Sequence, residues 1–188
     1  YAAQGDTGSN FYTGRGDIYA SITYRELRLQ AIELAHKLMG LGLTKGDRVA
    51  LVAETNPEFI RFFYACQYAG LIPVALPASV KVGAHCAYVA QLKQLLEASD
   101  AEIGMASEGY LSFLQEASEG LSMRMVDAPE AFHALPFDVQ PLHQAEPDDI
   151  SYIQYTSGST RFPRGVVIKH RTAMANLHGI VSHGLEMS

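Results

Sequence analysis

Eleven residues near the end of the chain concentrate groups that bind phosphate. The stretch from 155 to 165 reads Tyr-Thr-Ser-Gly-Ser-Thr-Arg-Phe-Pro-Arg-Gly. Hydroxyls, guanidinium groups and backbone N–H groups made accessible by glycine are the donors that hold phosphate oxygens in proteins. The sequence therefore predicts a phosphate-binding loop over 155–165. Its candidate ligands are Thr156, Ser157, Gly158, Ser159, Thr160, Arg161, Arg164 and Gly165.

The predicted loop differs from a Walker A loop. No Gly-Lys-Ser/Thr ends it, and the next predicted element is a strand over 166–168 rather than a helix whose N-terminus could receive a phosphate. Judged on composition alone, an ordinary turn is the simpler interpretation, because glycine, serine and threonine are frequent in turns. The spacing of the residues, considered below, favours phosphate binding.

Other side chains with chemical potential form no comparable pattern. His170, His178 and His183 are separated by eight and five residues, so they do not share one helix face in the way that i, i+4 metal ligands do. The serines lack the Gly-x-Ser-x-Gly spacing of a hydrolase nucleophile. The sequence therefore predicts neither a metal site nor a serine nucleophile in these residues.

The composition restricts the class of protein. The 188 residues are 48% hydrophobic and 18% charged, which is typical of a soluble globular domain with an ample core. The net charge of -6 provides no basic field for nucleic acid or an anionic membrane. No apolar run approaches the roughly 18 residues of a spanning helix. Two cysteines, Cys66 and Cys86, are typical of free thiols in a reducing compartment, so we expect a cytoplasmic protein. From the charge and the apolar runs we expect no nucleic-acid partner and no membrane span.

Strands that alternate with helices are predicted to position the loop. Thr23 and Glu26 have the spacing of a capping box, which predicts a helix that continues to Gly40. Unbroken apolar runs at 49–53 and 72–76 are typical of strands that are covered on both faces of a parallel sheet.

The helix between these two strands is predicted to begin after Asn56 and to end at Gly70. It is apolar nearly all round and its aromatic residues Phe59, Phe62 and Phe63 could line an acyl channel, but a helical aromatic stripe more often belongs to the core. The later pattern predicts a helix from about Tyr88 to Leu96, a strand over 102–106, a shorter helix over 110–117, and strands over 123–126 and 150–155.

These elements predict an α/β fold with a mainly parallel sheet flanked by helices. The pattern dissolves over 128–147, where four prolines occur, and we interpret this segment as a surface connection between two parts of the fold.

The loop resembles the phosphate-loop signature of the adenylate-forming superfamily, Tyr-Thr-Ser-Gly-Ser-Thr-x-x-Pro-x-Gly. That superfamily includes acyl-CoA synthetases, peptide-synthetase adenylation domains and luciferases. The segments at 23–27, 46–50 and 69–74 are similar to other landmarks of the superfamily in the same order. Most members have glycine where this chain has Arg161 and lysine where it has Arg164. Arginine at 161, together with the segment 88–99, resembles the fatty acyl-AMP ligases.

The resemblance implies a fold and a reaction. The chain would be the N-terminal, incomplete part (1–188) of the large AMP-binding domain of an adenylate-forming enzyme. The enzyme would use ATP and Mg²⁺ to convert a fatty acid into acyl-AMP and pyrophosphate, and would pass the acyl group to an acyl carrier protein. The adenine and magnesium motifs, the acyl tunnel and the catalytic lysine would lie after Ser188, so no catalytic residue is assigned within this chain.

Two other functions are compatible with the same sequence. A fatty acyl-CoA synthetase would use the same loop and pass the acyl group to CoA. A non-catalytic nucleotide-binding or interaction module would have kept the loop and lost the chemistry.

Overall fold

The computed structural model describes residues 2–78, 84–137, 139–156 and 163–184. Strands and helices alternate along most of the chain, as the sequence predicts. The strands are β1 (Gly8–Tyr12), β2 (Ile18–Thr23), β3 (Arg48–Val52), β4 (Ile72–Leu76), β5 (Ala101–Met105), β6 (Met125–Asp127), β7 (Ile150–Thr156) and β8 (Arg164–Lys169). The α-helices are α1 (Tyr24–Gly40), α2 (Pro57–Ala69), α3 (His85–Ser99), α4 (Glu108–Ser118), α5 (Pro129–His133) and α6 (His170–Gly179), and a π-helical turn (Ile180–Gly184) follows α6.

The central element is a six-stranded sheet with the order β6-β5-β3-β4-β7-β8. All neighbouring pairs from β6 to β7 are parallel, and β8 pairs with β7 in the antiparallel direction. The predicted α/β fold with a mainly parallel sheet is confirmed. The strands β3 and β4 lie in the interior of the sheet, which explains why their sequences are apolar without alternation.

The two faces of the sheet carry separate cores. On β3, Val49 and Leu51 pack with α1, α2 and α5, whereas Ala50 and Val52 pack with α3 and α4. Because successive side chains of a strand point to opposite faces, this division places the two groups of helices on opposite sides of the sheet. Phe62 of α2 is fully buried in the first core, so the aromatic stripe of α2 is part of the core, as the sequence predicts.

The predicted starts of α1 and α2 are confirmed by their capping contacts. The Glu26 backbone N–H donates to the Thr23 hydroxyl (3.1 Å), and the Thr23 N–H donates to the Glu26 carboxylate (2.9 Å), which completes the capping box. The Asn56 side chain accepts from the N–H of Phe59 at 2.8 Å. Helix α2 ends at Ala69 and is capped by Gly70, whose φ of 71° lies in the left-handed region that glycine adopts without strain.

The sequence did not predict the N-terminal hairpin formed by β1 and β2. Its strands pair in the antiparallel direction, and Phe11 and Ile22 form a small separate core with Leu27 of α1. The large apolar side chains Ile18 and Tyr19 of this hairpin are exposed. Apolar residues therefore occupy exposed as well as buried positions of the hairpin. For this reason its sequence lacks the apolar–polar alternation by which a half-buried strand is predicted.

The interpretation of 128–147 as a surface connection is wrong for its first residues. They form α5, and Phe132 is fully buried with its ring edge-on to Phe62, 5.3 Å between ring centroids. A helix of five residues is too short to repeat an apolar position, so its sequence carries no helical period.

None of the helices in the described residues combines the length and apolar character needed to cross a bilayer.

Candidate phosphate-binding site

The structure places the two ends of the predicted loop side by side. Thr156 is the last residue of β7, Arg164 is the first residue of β8, and the two are directly paired in the antiparallel ladder. Tyr155 and Gly165 form the next pair. The other predicted ligands lie outside the described residues: Ser157, Gly158, Ser159, Thr160 and Arg161. The structure thus brings together the hydroxyl-bearing and guanidinium-bearing residues that enter and leave the loop.

The loop ends lie at the carboxyl edge of the parallel strands, where open α/β sheets bind their ligands. A cavity of about 340 Å³ lies at the amino edge, whereas a cavity of about 260 Å³ adjoins the described ends of the loop at Thr156 and Pro163. The cavity beside the loop is walled by the ends of β3, β4 and β7 and by one side of α3. Its lining residues are Ala53, Ala75, Leu76, Pro77, Gln91, Leu95, Gln154, Tyr155, Thr156 and Pro163. The described ends of the predicted loop therefore have a largely apolar cavity beside them.

Tyr155 attaches the loop-bearing hairpin to the helix layer. Its hydroxyl donates to the backbone carbonyl of Leu95 in α3 at 3.1 Å. A side chain at Gly165 would crowd its ring, because a Cβ there would lie 3.1 Å from the Tyr155 Cε1 atom. Burial raises the pKa of Tyr155, so the hydroxyl stays protonated as the donor. Gly165 thus has a packing role in addition to the phosphate contact that the sequence predicts for it.

At the opposite end of the same hairpin, the Asp148 carboxylate forms ion pairs with two basic side chains. Its carboxylate pairs with Lys169 and with Arg171, each at 2.9 Å. The hydrogen bond from Lys169 and the charge of Arg171 lower the pKa of Asp148. These contacts join the residues just before β7 to the end of β8 and the start of α6.

Asp149 connects the base of the hairpin to the body of the fold. One carboxylate oxygen pairs with Lys45 at 2.8 Å, and the other accepts from His143 Nε2 at 2.8 Å and from the Glu146 N–H at 2.9 Å. The contacts with Lys45, the Glu146 N–H and His143 hold the pKa of Asp149 well below its ordinary value. The backbone carbonyl of Asp149 also accepts from the His170 N–H at 3.1 Å. We call this group of contacts the Asp149 clasp.

Two tyrosines fix the backbone that follows β4 at the carboxyl edge. The Tyr88 hydroxyl donates to the Pro77 carbonyl at 2.6 Å, and the Tyr110 hydroxyl donates to the Ala78 carbonyl at 2.9 Å. Burial, with smaller contributions from Tyr110 and Glu54, raises the pKa of Tyr88 to about 12. The sequence predicts Tyr88 only as the start of a helix, and nothing in its spacing indicates a hydroxyl partner on another element.

In the part of the chain that the structure describes, no three histidine, cysteine or acidic side chains converge in a way that could hold a metal ion. His170 is the first residue of α6, and His178 and His183 lie farther along α6 and in the π-helical turn.

Comparison with known proteins identifies the family. The family model described as AMP-binding enzyme matches residues 2–187. The chain belongs to the AMP-binding enzyme family. This membership agrees with the mainly parallel sheet and with the resemblance to adenylate-forming enzymes found in the sequence.

This chain is also similar to individual proteins and to solved structures. A solved structure from work on the fatty acyl-adenylate ligases of E. coli and L. pneumophila superimposes with a TM-score of 0.93 at 40% identity, over all of this chain and 34% of that one. A Caulobacter vibrioides protein named as an acyl-CoA synthetase is 38% identical over 100% of this chain and 32% of its own length. A fatty acid–[acyl-carrier-protein] ligase of Streptomyces coeruleorubidus is 26% identical over 88% of this chain and 31% of its own length. The chain thus spans about a third of the length of the relatives that it matches.

Proposed function

We propose that this chain supplies the ATP phosphate loop of a fatty acyl-AMP ligase. The enzyme would activate a fatty acid to acyl-AMP with release of pyrophosphate, and would transfer the acyl group to an acyl carrier protein. The observation that carries the proposal is the pairing of Thr156 with Arg164 at the carboxyl edge of the sheet, near the two ends of the superfamily's loop signature. The 40% identity to a structure from work on fatty acyl-adenylate ligases supports the choice of branch.

The proposed chemistry requires positive charge and hydrogen-bond donors at the leaving group. The fatty carboxylate attacks the α-phosphorus of ATP, the bond to the β-phosphate oxygen breaks, and negative charge builds on pyrophosphate. The Arg164 guanidinium and the Thr156 hydroxyl, with the remaining loop residues, would donate to the β- and γ-phosphate oxygens. Mg²⁺ bound with ATP would neutralise further phosphate charge, and we expect its ligands outside this chain.

The contacts of the hairpin would prepare these donors for the reaction. Tyr155 ties β7 to α3 near the loop, and the Asp149 clasp fixes the hairpin at its base. Donors that are already oriented need no reorganisation as charge develops, which is the main source of electrostatic catalysis. The hairpin is therefore proposed as a rigid support for the loop.

A fatty acyl-CoA synthetase is the second candidate. It is supported by the 38% identity to the Caulobacter vibrioides protein of that name. Both candidates share the ATP step and differ in the acceptor of the acyl group. Incubation of the full-length enzyme and ATP with a radiolabelled fatty acid, in the presence of CoA or of a phosphopantetheine-loaded carrier protein, distinguishes them by the labelled product.

Arg164→Ala in the full-length enzyme tests the phosphate loop. A charge-assisted hydrogen bond contributes about 1.5–3 kcal/mol, so we expect a loss of roughly 10- to 150-fold in the adenylation rate at subsaturating ATP. The measurement is pyrophosphate release against ATP concentration, with a short and a long fatty acid. Arg28→Ala, which removes an exposed arginine from α1, is the matched control and should leave the rate unchanged.

The result can also contradict the assignment. If Arg164→Ala leaves the ATP dependence intact and alters the preferred chain length, the loop belongs to the acyl site. Arg161→Gly restores the residue that is common elsewhere in the superfamily. If Arg161 is a phosphate ligand the change weakens ATP use, whereas a rate that holds or rises means that Arg161 only stiffens the loop.

A further inference from the structure

Two prolines of the chain at β4 limit how far this strand pairs with β7. The Leu76 carbonyl accepts from the Ala53 N–H at 2.9 Å, so Leu76 directs its backbone polar groups toward β3. These groups alternate in direction along a strand, and Pro73 and Pro77 therefore face β7, where neither has an N–H to donate. The parallel pairing of β4 with β7 covers two residue pairs, whereas the pairing of β3 with β4 covers five.

The carboxyl ends of β4 and β7 separate beyond these two pairs. The second pair joins Ala75 to Gln154, so an unbroken ladder would place Pro77 beside Thr156 at the start of the phosphate loop. Pro77 and Thr156 both line the cavity of about 260 Å³ that adjoins the loop. The cavity thus lies where further pairing of the two strands would continue.

Two tyrosine hydroxyls bind the backbone carbonyls at the separated end of β4. The Tyr88 hydroxyl donates to the Pro77 carbonyl at 2.6 Å, and the Tyr110 hydroxyl donates to the Ala78 carbonyl at 2.9 Å. The two rings come from different helices and meet edge-on, with 6.2 Å between their centroids. In a continued parallel ladder, the Pro77 carbonyl would instead accept from a backbone N–H at the start of the loop.

We infer that Tyr88 and Tyr110 are positioning residues that hold the end of β4 apart from the phosphate loop. A Pro77 carbonyl bound to the Tyr88 hydroxyl does not compete for a loop N–H, which stays available to the phosphate oxygens of ATP. Both tyrosines act through the backbone of β4 rather than through contact with ATP. This inference rests on the proposed function of the loop and adds the residues that preserve its backbone donors.

Removal of the two hydroxyls from the full-length enzyme tests the inference. Tyr88→Phe, Tyr110→Phe and the double variant keep the rings, and Tyr19→Phe is the matched control because its hydroxyl donates to another backbone carbonyl, that of Thr55, at 3.0 Å. We expect the KM for ATP of the double variant to rise roughly 3- to 10-fold, because the freed Pro77 carbonyl competes for a loop N–H. The KM for the fatty acid should change less than about twofold, and Tyr19→Phe should leave both values unchanged. Pyrophosphate release against each substrate measures them, with urea unfolding as the measure of stability.

Binding of pyrophosphate in the presence of Mg²⁺ and without a fatty acid tests the same inference apart from the acyl reaction. By titration calorimetry, the double variant should bind pyrophosphate roughly 3- to 10-fold more weakly than the parent. Pro77→Ala supplies the missing N–H toward β7 while both tyrosines remain, so it should weaken binding in the same direction. This variant keeps the inference testable if the phenylalanine variants fold poorly.

The outcomes separate this inference from the proposed function. Weaker pyrophosphate binding by the variants of an enzyme that forms no acyl-AMP would contradict the proposed reaction and support the inference. Unchanged pyrophosphate affinity and unchanged KM for ATP in the double variant would overturn the inference, even if the enzyme forms acyl-AMP. It would also be overturned if both KM values rose together with a loss of stability, because the tyrosines would then only stabilise the fold. A parent enzyme without measurable affinity for pyrophosphate would contradict both.

Discussion

Gly165 lies directly opposite Tyr155 in the β7–β8 ladder, and the absence of a side chain there leaves room for the tyrosine ring. Its backbone needs no positive φ, so the requirement for glycine is one of space. The Tyr155 hydroxyl then reaches the carbonyl of Leu95. The glycine at 165 therefore leaves the space in which the Tyr155 side chain connects β7 to α3.

Substitution of Gly165 by alanine should destabilise the protein by crowding the Tyr155 ring. The added methyl group would lie 3.1 Å from the ring, and overpacking of this kind costs about 1 kcal/mol or more. Urea unfolding, followed by circular dichroism, measures the change in free energy.

Gly109→Ala is the matched control, since nothing lies within 4 Å of a Cβ at this position in α4. Alanine in a helix is favoured over glycine, so this variant should be as stable as the parent or more stable by up to about 1 kcal/mol. If both variants gain stability equally, the ring of Tyr155 does not depend on Gly165.

Only some of the individual residues of the candidate site can be predicted from the sequence. Thr156 and Arg164 are predictable as loop ends because the donor-rich signature is continuous in sequence. The Tyr155 contact with Leu95 spans 60 residues of chain, and the clasp joins Lys45 to Asp149. Such partners are determined by how the elements pack, and neither composition nor local spacing carries that information.

At the scale of elements, the Asp149 clasp ties the segment before β7 to the loop that precedes β3. The low pKa of Asp149 in the folded protein means that folding favours the charged carboxylate. This stabilisation is fully present above the ordinary aspartate pKa of 3.8 and is lost as the pH falls toward the lower pKa of the folded state.

Asp149→Asn should therefore lower the stability at pH 7 by more than it does at pH 3. Urea unfolding of the parent and the variant at both pH values measures the difference. Asp6→Asn, at an exposed position near the N-terminus, should have a small effect at both values. An Asp149→Asn effect of equal size at pH 3 and pH 7 would mean that the charge of the carboxylate does not matter.

The short helix α5 should contribute more to stability than its length suggests. Phe132→Ala removes a fully buried ring that packs against Phe62, and such truncations cost about 3–5 kcal/mol. Phe137→Ala, at a ring that is 39% exposed, should cost about 1 kcal/mol. Chemical denaturation measures both, and equal losses would contradict the role of α5 in the core.

The longer elements could be predicted because each repeats its pattern several times. The capping residues fixed the starts of α1 and α2, and the apolar runs located β3 and β4. The N-terminal hairpin and α5 were missed. Each packs against the rest of the fold through one or two buried aromatic or aliphatic side chains. These are too few to produce a repeating apolar pattern in the sequence.

At the scale of the whole molecule, we expect the 188-residue chain by itself to form no acyl-AMP. The chain spans about a third of the relatives, and the proposed adenine, magnesium and catalytic lysine groups lie outside it. Pyrophosphate release from ATP and a fatty acid should stay at background, with the full-length enzyme as the positive control. Turnover that survives repurification of the chain would contradict the expectation.

The strand order also has a consequence for synthesis on the ribosome. One edge of β4 pairs with β3, and its other edge pairs with β7. Strand β4 ends at Leu76 and β7 begins only at Ile150, so the second edge has no partner until β7 has been synthesised. At about 5–20 residues per second, translation of the intervening segment takes roughly 4–15 s. During that interval the nascent chain presents an unpaired apolar strand edge to other chains. Early chaperone contact with the nascent polypeptide would therefore protect β4, and slow codons between β4 and β7 would lengthen its exposure.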